Sequence, residues 1–414
     1  MRIAIIGGGI SGMVSAFLLN EDHDIVLFEA NDYLGGHTHT VDVIVAQNRY
    51  SVDTGFIVFN EVTYPNFLKL LQRLGVEYQT STMTFSVKSE RDGVEYGAHN
   101  LNTLFAQRRN LLDPSFYRMI LEIFRFRREF SSLLDKENRI EVLVPYLRSQ
   151  GYSHRFIDYF IVPLGSSLWS TDPKKIDDFP LATFVRFFEN HGFLKIRNSF
   201  EWKVIKGGSA RYVDKLIGLL REKIRLSTPV RTVIRNSEKV EVHLDGGAVE
   251  NFDHCVLAVH SDQALALLRD PTPQEREILG AISYQGNLTM LHTDAGILPK
   301  RRRIWSSWNY CIPKEEISRP VITYDMNILQ GLDAPEEFCV TLNRPEAINP
   351  ERIIGSYDYH HPVYTTAAPA AQKRHGEISG ADRIHFAGAY WGYGFHEDGV
   401  NGALAACAYF GKSL

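Results

Sequence analysis

Two kinds of apolar pattern alternate along the chain. Ile3 to Ile6 is an unbroken apolar run, the mark of a strand buried on both faces. After a glycine-rich break, Met13, Val14, Ala16, Phe17, Leu18 and Leu19 recur at helical spacing, and His23 to Phe28 reads as a second strand ending in Glu29. The pattern returns far downstream. Ala210 to Glu222 predicts a helix, and Ile224 to Leu226, Val230 to Ile234, Val240 to Leu244 and Phe252 to Val259 predict strands, with Asp245-Gly246-Gly247 as a hairpin turn. Ile384 to Phe386 predicts a last strand, followed by a small-residue helix starting near Val400. Between these blocks lie stretches of another character. Residues 76–202 are helix-rich and aromatic, with an amphipathic helix expected over Ser115 to Leu134. Residues 262–381 predict strands at Leu288 to His292, Arg303 to Tyr310, Val321 to Met326 and Phe338 to Leu342.

The break between the first strand and helix carries chemistry. Gly7, Gly9 and Gly12 have the spacing G-x-G-x-x-G, with Gly8 as an extra glycine, and Glu29 follows Gly7 by 22 residues. A strand, this loop, a helix and an acid at that distance form a dinucleotide-binding fingerprint. Gly7 allows the tight turn, Gly9 lets a pyrophosphate approach the backbone, and Gly12 lets helix and strand pack closely. The helix N-terminus offers unpaired N–H groups to phosphate, and Glu29 can accept hydrogen bonds from a ribose.

Three blocks together resemble the flavin-containing amine oxidase superfamily, which includes phytoene desaturase-like and protoporphyrinogen oxidase-like enzymes. They are the glycine loop, the stretch Glu29 to Thr40 with Gly35-Gly36-His37, and the C-terminal Phe386-Ala387-Gly388 with Gly394-Phe395-His396-Glu397-Asp398-Gly399. The resemblance covers nearly the whole chain. Leu291-His292-Thr293-Asp294, Trp305 to Tyr310 and Thr323 to Asn327 further resemble a bacterial subfamily of predicted NAD/FAD-binding proteins. A similar module precedes the methyltransferase of plant cyclopropane fatty acid synthases.

The resemblance implies an α/β fold: a discontinuous Rossmann-like FAD-binding domain of the two-dinucleotide-binding-domain type, over 1–75, 203–261 and 382–414. An α+β substrate domain of mixed sheet and helices would take 76–202 and 262–381. It implies FAD contacts at Gly7, Gly9, Ser11, Gly12, Glu29, Ala30, Gly36, His37 and Thr38 in the first block. Gly55, Phe56 and Ile57 would pass near the flavin, Val230 and Ala258 would lie along the dinucleotide, and Gly388, Asp398, Gly399 and Val400 would meet the flavin end. The family usually has Arg where His37 stands. No cysteine lies beside the flavin motif, so the FAD is expected to be non-covalent.

Composition narrows the picture. Hydrophobic residues at 44% and charged residues at 23% exclude a mainly disordered chain, and a net charge of −4 gives no global field to attract nucleic acid. The four cysteines are scattered without a Cys-x-x-Cys pair, which argues against a zinc site and for reduced thiols in the cytoplasm. The His360-His361 pair has no spaced acidic partner, so no metal is expected. The N-terminal apolar run is too short for a signal peptide, and charge interrupts every longer one. Arginines around Phe116 to Phe130 leave two readings for that helix: a solvated basic face, or peripheral contact with an anionic inner-membrane surface.

For catalysis, the strand Ser283 to His292 lacks the lysine that amine oxidases commonly hold near flavin N5. Asn287 is its nearest polar candidate, and His396 beside the flavin motif is a second. Trp305, Trp308, Tyr310, Tyr324 and Met326 are candidate apolar walls. The expected function is FAD-dependent dehydrogenation or desaturation of an apolar substrate such as an acyl lipid, by hydride transfer to flavin N5. The alternatives are a flavin amine oxidase acting on a small molecule, or a non-catalytic FAD-binding partner of a lipid methyltransferase.

Overall fold

The computed structural model describes residues 1–130, 141–190, 200–316 and 318–414. Five parallel strands form the first sheet, in the order Ile224–Arg225, Asp24–Phe28, Arg2–Ile6, His254–Leu257 and Ile384–Phe386. The unbroken apolar run of the first strand is explained by its two buried faces. Ile3 and Ile5 join a core with the helices Ile10–Leu19 and His396–Ala408, while Ala4 and Ile6 join another with Val233, Val242 and Phe252. The latter three belong to an antiparallel sheet of Val230–Arg235, Val240–Leu244 and Val249–Phe252. Parallel strands place all their C-terminal ends at one edge, where open α/β sheets bind ligands.

The second sheet has seven strands among the described residues. Their order is Ile353–Val363, Ser283–His292, Cys339–Leu342, Val321–Asp325, Trp308–Ile312, Phe85–Ser89 and Glu95–Gly97. Only Phe85–Ser89 and Trp308–Ile312 pair in parallel, so the sheet is mixed, as expected. Several element boundaries differ from the sequence reading, and two of them have a visible cause. Arg303 lies in a 3₁₀ turn over Arg302–Ile304, and the strand begins only at Trp308. The Trp305 indole N–H donates to Pro299 O at 2.8 Å and Ser306 N–H donates to Asn309 Oδ1 at 3.0 Å, which holds the intervening chain in a turn. The last helix starts at His396, four residues before Val400, because the Asp398 carboxylate accepts the N–H groups of Tyr393 and Phe395 at 3.0 and 2.9 Å.

The helical insertion contributes Pro114–Phe130, Leu143–Ser149, Val162–Trp169 and Leu181–Asn190. The first of these was expected to run to Leu134, but 131–134 lie outside the described residues. Its inner face buries Phe116, Met119 and Phe126, while Leu121 and Phe124 are exposed. Among the described residues no helix is long and apolar enough to cross a membrane.

Candidate functional site

Each glycine of the first loop has a separate steric task. Gly7 has φ +105°, and a side chain there would collide with the Ala258 carbonyl. A side chain at Gly12 would run into the Gly7 carbonyl, so this glycine sets how closely the helix meets the strand. A Cβ at Gly9 would meet nothing within 4 Å, because it would stand in the cavity. Gly8, left as an extra glycine by the sequence pattern, also has a role. Its N–H donates to Glu29 Oε2 at 2.7 Å, and a side chain there would strike Leu34 and Glu29. Glu29 Oε1 accepts from Asn31 N–H at 2.9 Å, so the carboxylate is oriented by two backbone donors. Gly35 and Gly36 bring the returning chain against this loop: Gly35 N–H donates to Gly8 O at 2.9 Å, and a Cβ on Gly36 would lie 3.2 Å from the Gly9 Cα.

The cavity beyond this loop has a volume of about 1250 Å³, above the roughly 300–1,000 Å³ of a single small-ligand pocket. Of the candidate residues, Gly7, Gly9, Ser11, Glu29, Ala30, Gly36, His37, Gly55, Phe56, Ile57, Val230, Ala258, Gly388 and His396 line it. Five others stand behind the wall. Gly12 packs on Gly7, and Asp398 caps the last helix. Gly399 O accepts from Ser11 Oγ at 2.8 Å, Val400 is core, and Thr38 Oγ1 meets Tyr212 Oη at 2.6 Å. Asn287 is fully buried and also does not line the cavity; it supports His361, which does.

His396 is wedged in place. Its ring stacks on Phe56 at 3.6 Å, and its Nε2 lies 2.8 Å from Tyr212 Oη and 3.3 Å from Thr38 Oγ1. Burial holds the imidazole well below its usual range, so it is neutral. Neighbouring Glu397 accepts the N–H groups of Asn66 and Phe67 at 3.0 and 2.8 Å and thereby caps the helix Pro65–Leu74.

Beyond the glycine loop the lining becomes aromatic. Phe126, Phe160, Trp169, Phe187 and Phe188 come from the helical insertion, and Met83, Phe85, Trp308 and Tyr324 from the side of the mixed sheet. Trp308 and Tyr324 are thus walls, as expected. Tyr310 and Met326 are core residues and Trp305 is tied into its turn, so these three are not. Sequence reasoning missed Trp169, Phe187 and Phe188, which had no signal beyond the aromatic character of the insertion. It also missed a polar group of His260, His360, His361, Tyr284 and Tyr359 on the wall. The visible signal there is the adjacent pair His360-His361, which the sequence reading weighs only as a metal site and sets aside for want of a spaced acidic partner. At the end of Ile353–Val363 both reach the cavity. Burial lowers His37 and His260 to about 4 and His361 to about 3, so these rings are neutral at pH 7.

This arrangement fits FAD. The open face of Gly9, the first helix's N-terminus and the oriented Glu29 make a dinucleotide cradle, and the cavity continues from it past Gly55, Phe56 and Gly388. The model of the flavin containing amine oxidoreductase family matches residues 10–306. Among solved structures, cyclohexylamine oxidase from Brevibacterium oxydans aligns with a TM-score of 0.70 at 17% identity, covering 99% of this chain and 98% of that one. A putrescine oxidase bound to putrescine aligns at 0.67 and 16%, covering 99% of both chains. A fatty acid isomerase from P. acnes that produces CLA aligns at 0.70 and 16%, covering 99% and 98%. At these identities the likeness is one of fold.

Proposed function

The chain belongs to the flavin-containing amine oxidoreductase family and is an FAD-dependent oxidoreductase, and from that premise we propose that its substrate is an apolar acyl chain, which it dehydrogenates. One observation carries this reading. The dinucleotide cleft opens directly into a chamber walled by Phe126, Phe160, Trp169, Phe187, Phe188 and Trp308. Burying a chain there yields about 0.8 kcal/mol per CH₂, so a long chain can be held without a charged anchor at every turn. When bound, FAD accepts a hydride from a C–H bond. Gly7 to Gly12 and Glu29 would hold the dinucleotide, the aromatic walls would align the chain and exclude water, and the neutral His260 imidazole on the wall can take the proton released as the double bond forms.

Lipid access supports the same reading. The outer side of Pro114–Phe130 and the turn before it expose Leu112 (88%), Leu121 (69%) and Phe124 (50%), while Phe126 and Arg127 of the same helix line the chamber. An apolar surface beside the chamber's helical wall suits a protein that takes its substrate from a lipid surface. A second reading is amine oxidation. Asp358 on the cavity wall is a charge partner for an ammonium group, whereas Glu201 there already pairs with Lys203 at 2.9 Å.

Anaerobic mixing of the holoprotein with fatty acyl lipids, phospholipid extracts and amines, followed at the flavin absorption band, separates the two. Bleaching by acyl substrates is expected. Rapid bleaching by primary or secondary amines, with no response to acyl lipids, replaces this reading with the amine one. Denaturation should release the yellow colour from the chain, since all four cysteines are buried as free thiols away from the cavity lining.

A further inference from the structure

The hydrogen bonds behind His361 leave it one tautomer. Leu288 N–H donates to Asn343 Oδ1 at 3.1 Å, which fixes the orientation of that amide. Asn343 Nδ2 then donates to Pro320 O at 2.9 Å and to Asn287 Oδ1 at 2.8 Å. Asn287 is oriented in turn, and its Nδ2 donates to His361 Nδ1 at 3.0 Å. An amide NH₂ only donates, so Nδ1 is the acceptor and the single proton of the neutral ring sits on Nε2. Asn287, on the strand that lacks the lysine common in amine oxidases, therefore works through a histidine on the cavity wall.

His37 faces the same space. Its ring centroid lies 5.3 Å from that of His361, and its Nε2 is sealed from solvent without a hydrogen-bond partner. A buried polar atom left unpaired costs about 1–3 kcal/mol, and on a cavity wall it is placed to take a water, an ion or a ligand group as its partner. His260 flanks the pair, 6.0 Å from His37 and stacked on Tyr284. Tyr359 closes the other side, 5.2 Å from His37, with its hydroxyl held 2.7 Å from Thr54 Oγ1.

We propose that His361, positioned by Asn287 and Asn343, forms with His37 a seat for the carboxyl group of the substrate. The inference rests on the acyl-chain reading and narrows it to free acids. His361 Nε2–H donates to one carboxyl oxygen, and His37 Nε2 receives the proton of the acid on the other. A carboxylate arriving from neutral solution takes that proton from solvent, and the result is a charge-assisted imidazolium–carboxylate pair. The seat discriminates by chemistry. An ester offers His361 an acceptor but gives His37 no proton, and an ammonium group can donate to His37 Nε2 but has no lone pair for the fixed His361 N–H, which opposes it. Desolvation keeps both rings neutral in the absence of a ligand and opposes the imidazolium, so the pair forms only where the charge of the carboxylate offsets that cost.

The test titrates the FAD-loaded full chain with dodecanoate, methyl dodecanoate and dodecylamine, reading the shift of the flavin absorption band. The wild type is expected to bind the acid at least about tenfold more tightly than the ester. His361→Phe should bring the acid down to the ester's affinity, leaving ester binding and FAD content unchanged, and His37→Phe should do the same in the fraction of molecules that retains FAD. His361→Gln keeps a side-chain N–H and should restore most of the preference, whereas Asn287→Leu, which frees the tautomer, should lose part of it. Equal affinity for acid and ester in the wild type overturns the seat while the acyl-chain reading stands. So does a His361→Phe variant that weakens both ligands alike, or a His37→Phe variant that loses FAD but keeps its preference for the acid. If neither acid nor ester perturbs the flavin, the acyl-chain reading itself fails.

Discussion

At the scale of single residues, the glycine loop separates binding from folding. A side chain at Gly7 or Gly12 would strike backbone, so substitution there disturbs the strand–helix junction itself. At Gly9 the new side chain would enter the cavity and touch no protein atom near its Cβ. Gly9→Leu is therefore expected to fold with a melting temperature close to that of the wild-type apoprotein, yet to purify without flavin. Stoichiometric flavin in that variant would remove the pyrophosphate from this loop. Glu29 acts at a second remove as well as directly, because its carboxylate holds the N–H groups of Gly8 and Asn31. Glu29→Ala loses a charged acceptor and loosens the loop, and FAD affinity should fall by about 1–3 kcal/mol, measured by titrating apoprotein with FAD. Unchanged affinity would mean that the ribose is held elsewhere.

At the scale of elements, legibility followed how local the determining interaction was. The first strand, first helix and Glu29 were readable because apolar period, glycine spacing and a terminal acid sit within one βαβ unit. The start of the last helix was misplaced because the Asp398 cap reaches back over a glycine-rich turn that resembles a loop. The Asn343–Asn287–His361 relay could not be read at all, since two strands and the residue following a third, all apart in sequence, assemble it. The helix Pro114–Phe130 is an intermediate case. Its amphipathic pattern was plain, but only the structure shows which apolar residues stay outside. Some of its basic side chains are engaged, Arg118 with Glu122 and Arg125 with Glu129. Even so, residues 101–130 carry six arginines against three acids, in a chain whose net charge is −4. Apolar insertion and a local positive field together predict sedimentation with vesicles rich in phosphatidylglycerol and weaker sedimentation with phosphatidylcholine alone. Leu112→Asp with Leu121→Asp should reduce the vesicle-bound fraction by about tenfold or more without altering flavin content. Equal sedimentation of the double variant and the wild type would assign this face to another role.

At the scale of the whole molecule, two populations of buried titratable groups oppose each other as pH changes. Burial lowers His37, His260 and His292 to about 4 and His361 and His385 to about 3, and it holds His396 well below its usual range. In the unfolded chain these rings titrate near 6.5, so between about pH 6.5 and 4 the unfolded state binds more protons and acidification destabilises the fold. Burial raises Asp53 and Asp398 to about 7, and burial with the nearby Glu337 raises Asp325 to about 8. For these the sign is reversed. The folded state holds the extra proton, and their stabilising share is present below about 4 and lost as pH rises through 7 to 8. Within the window from 6.5 down to 4, these six histidines act against these three carboxylates, and the histidines prevail in number. The apoprotein's melting temperature should fall as pH is lowered from 6.5 to 5, as followed by far-UV circular dichroism. His385 isolates the effect, because it sits away from the cavity lining, with its Nε2 3.1 Å from His254 Nδ1. His385→Asn should flatten the acid limb of that curve while leaving flavin binding at pH 7 intact. A melting temperature that rises on acidification would show that the buried carboxylates, and not the histidines, govern the pH dependence of the fold.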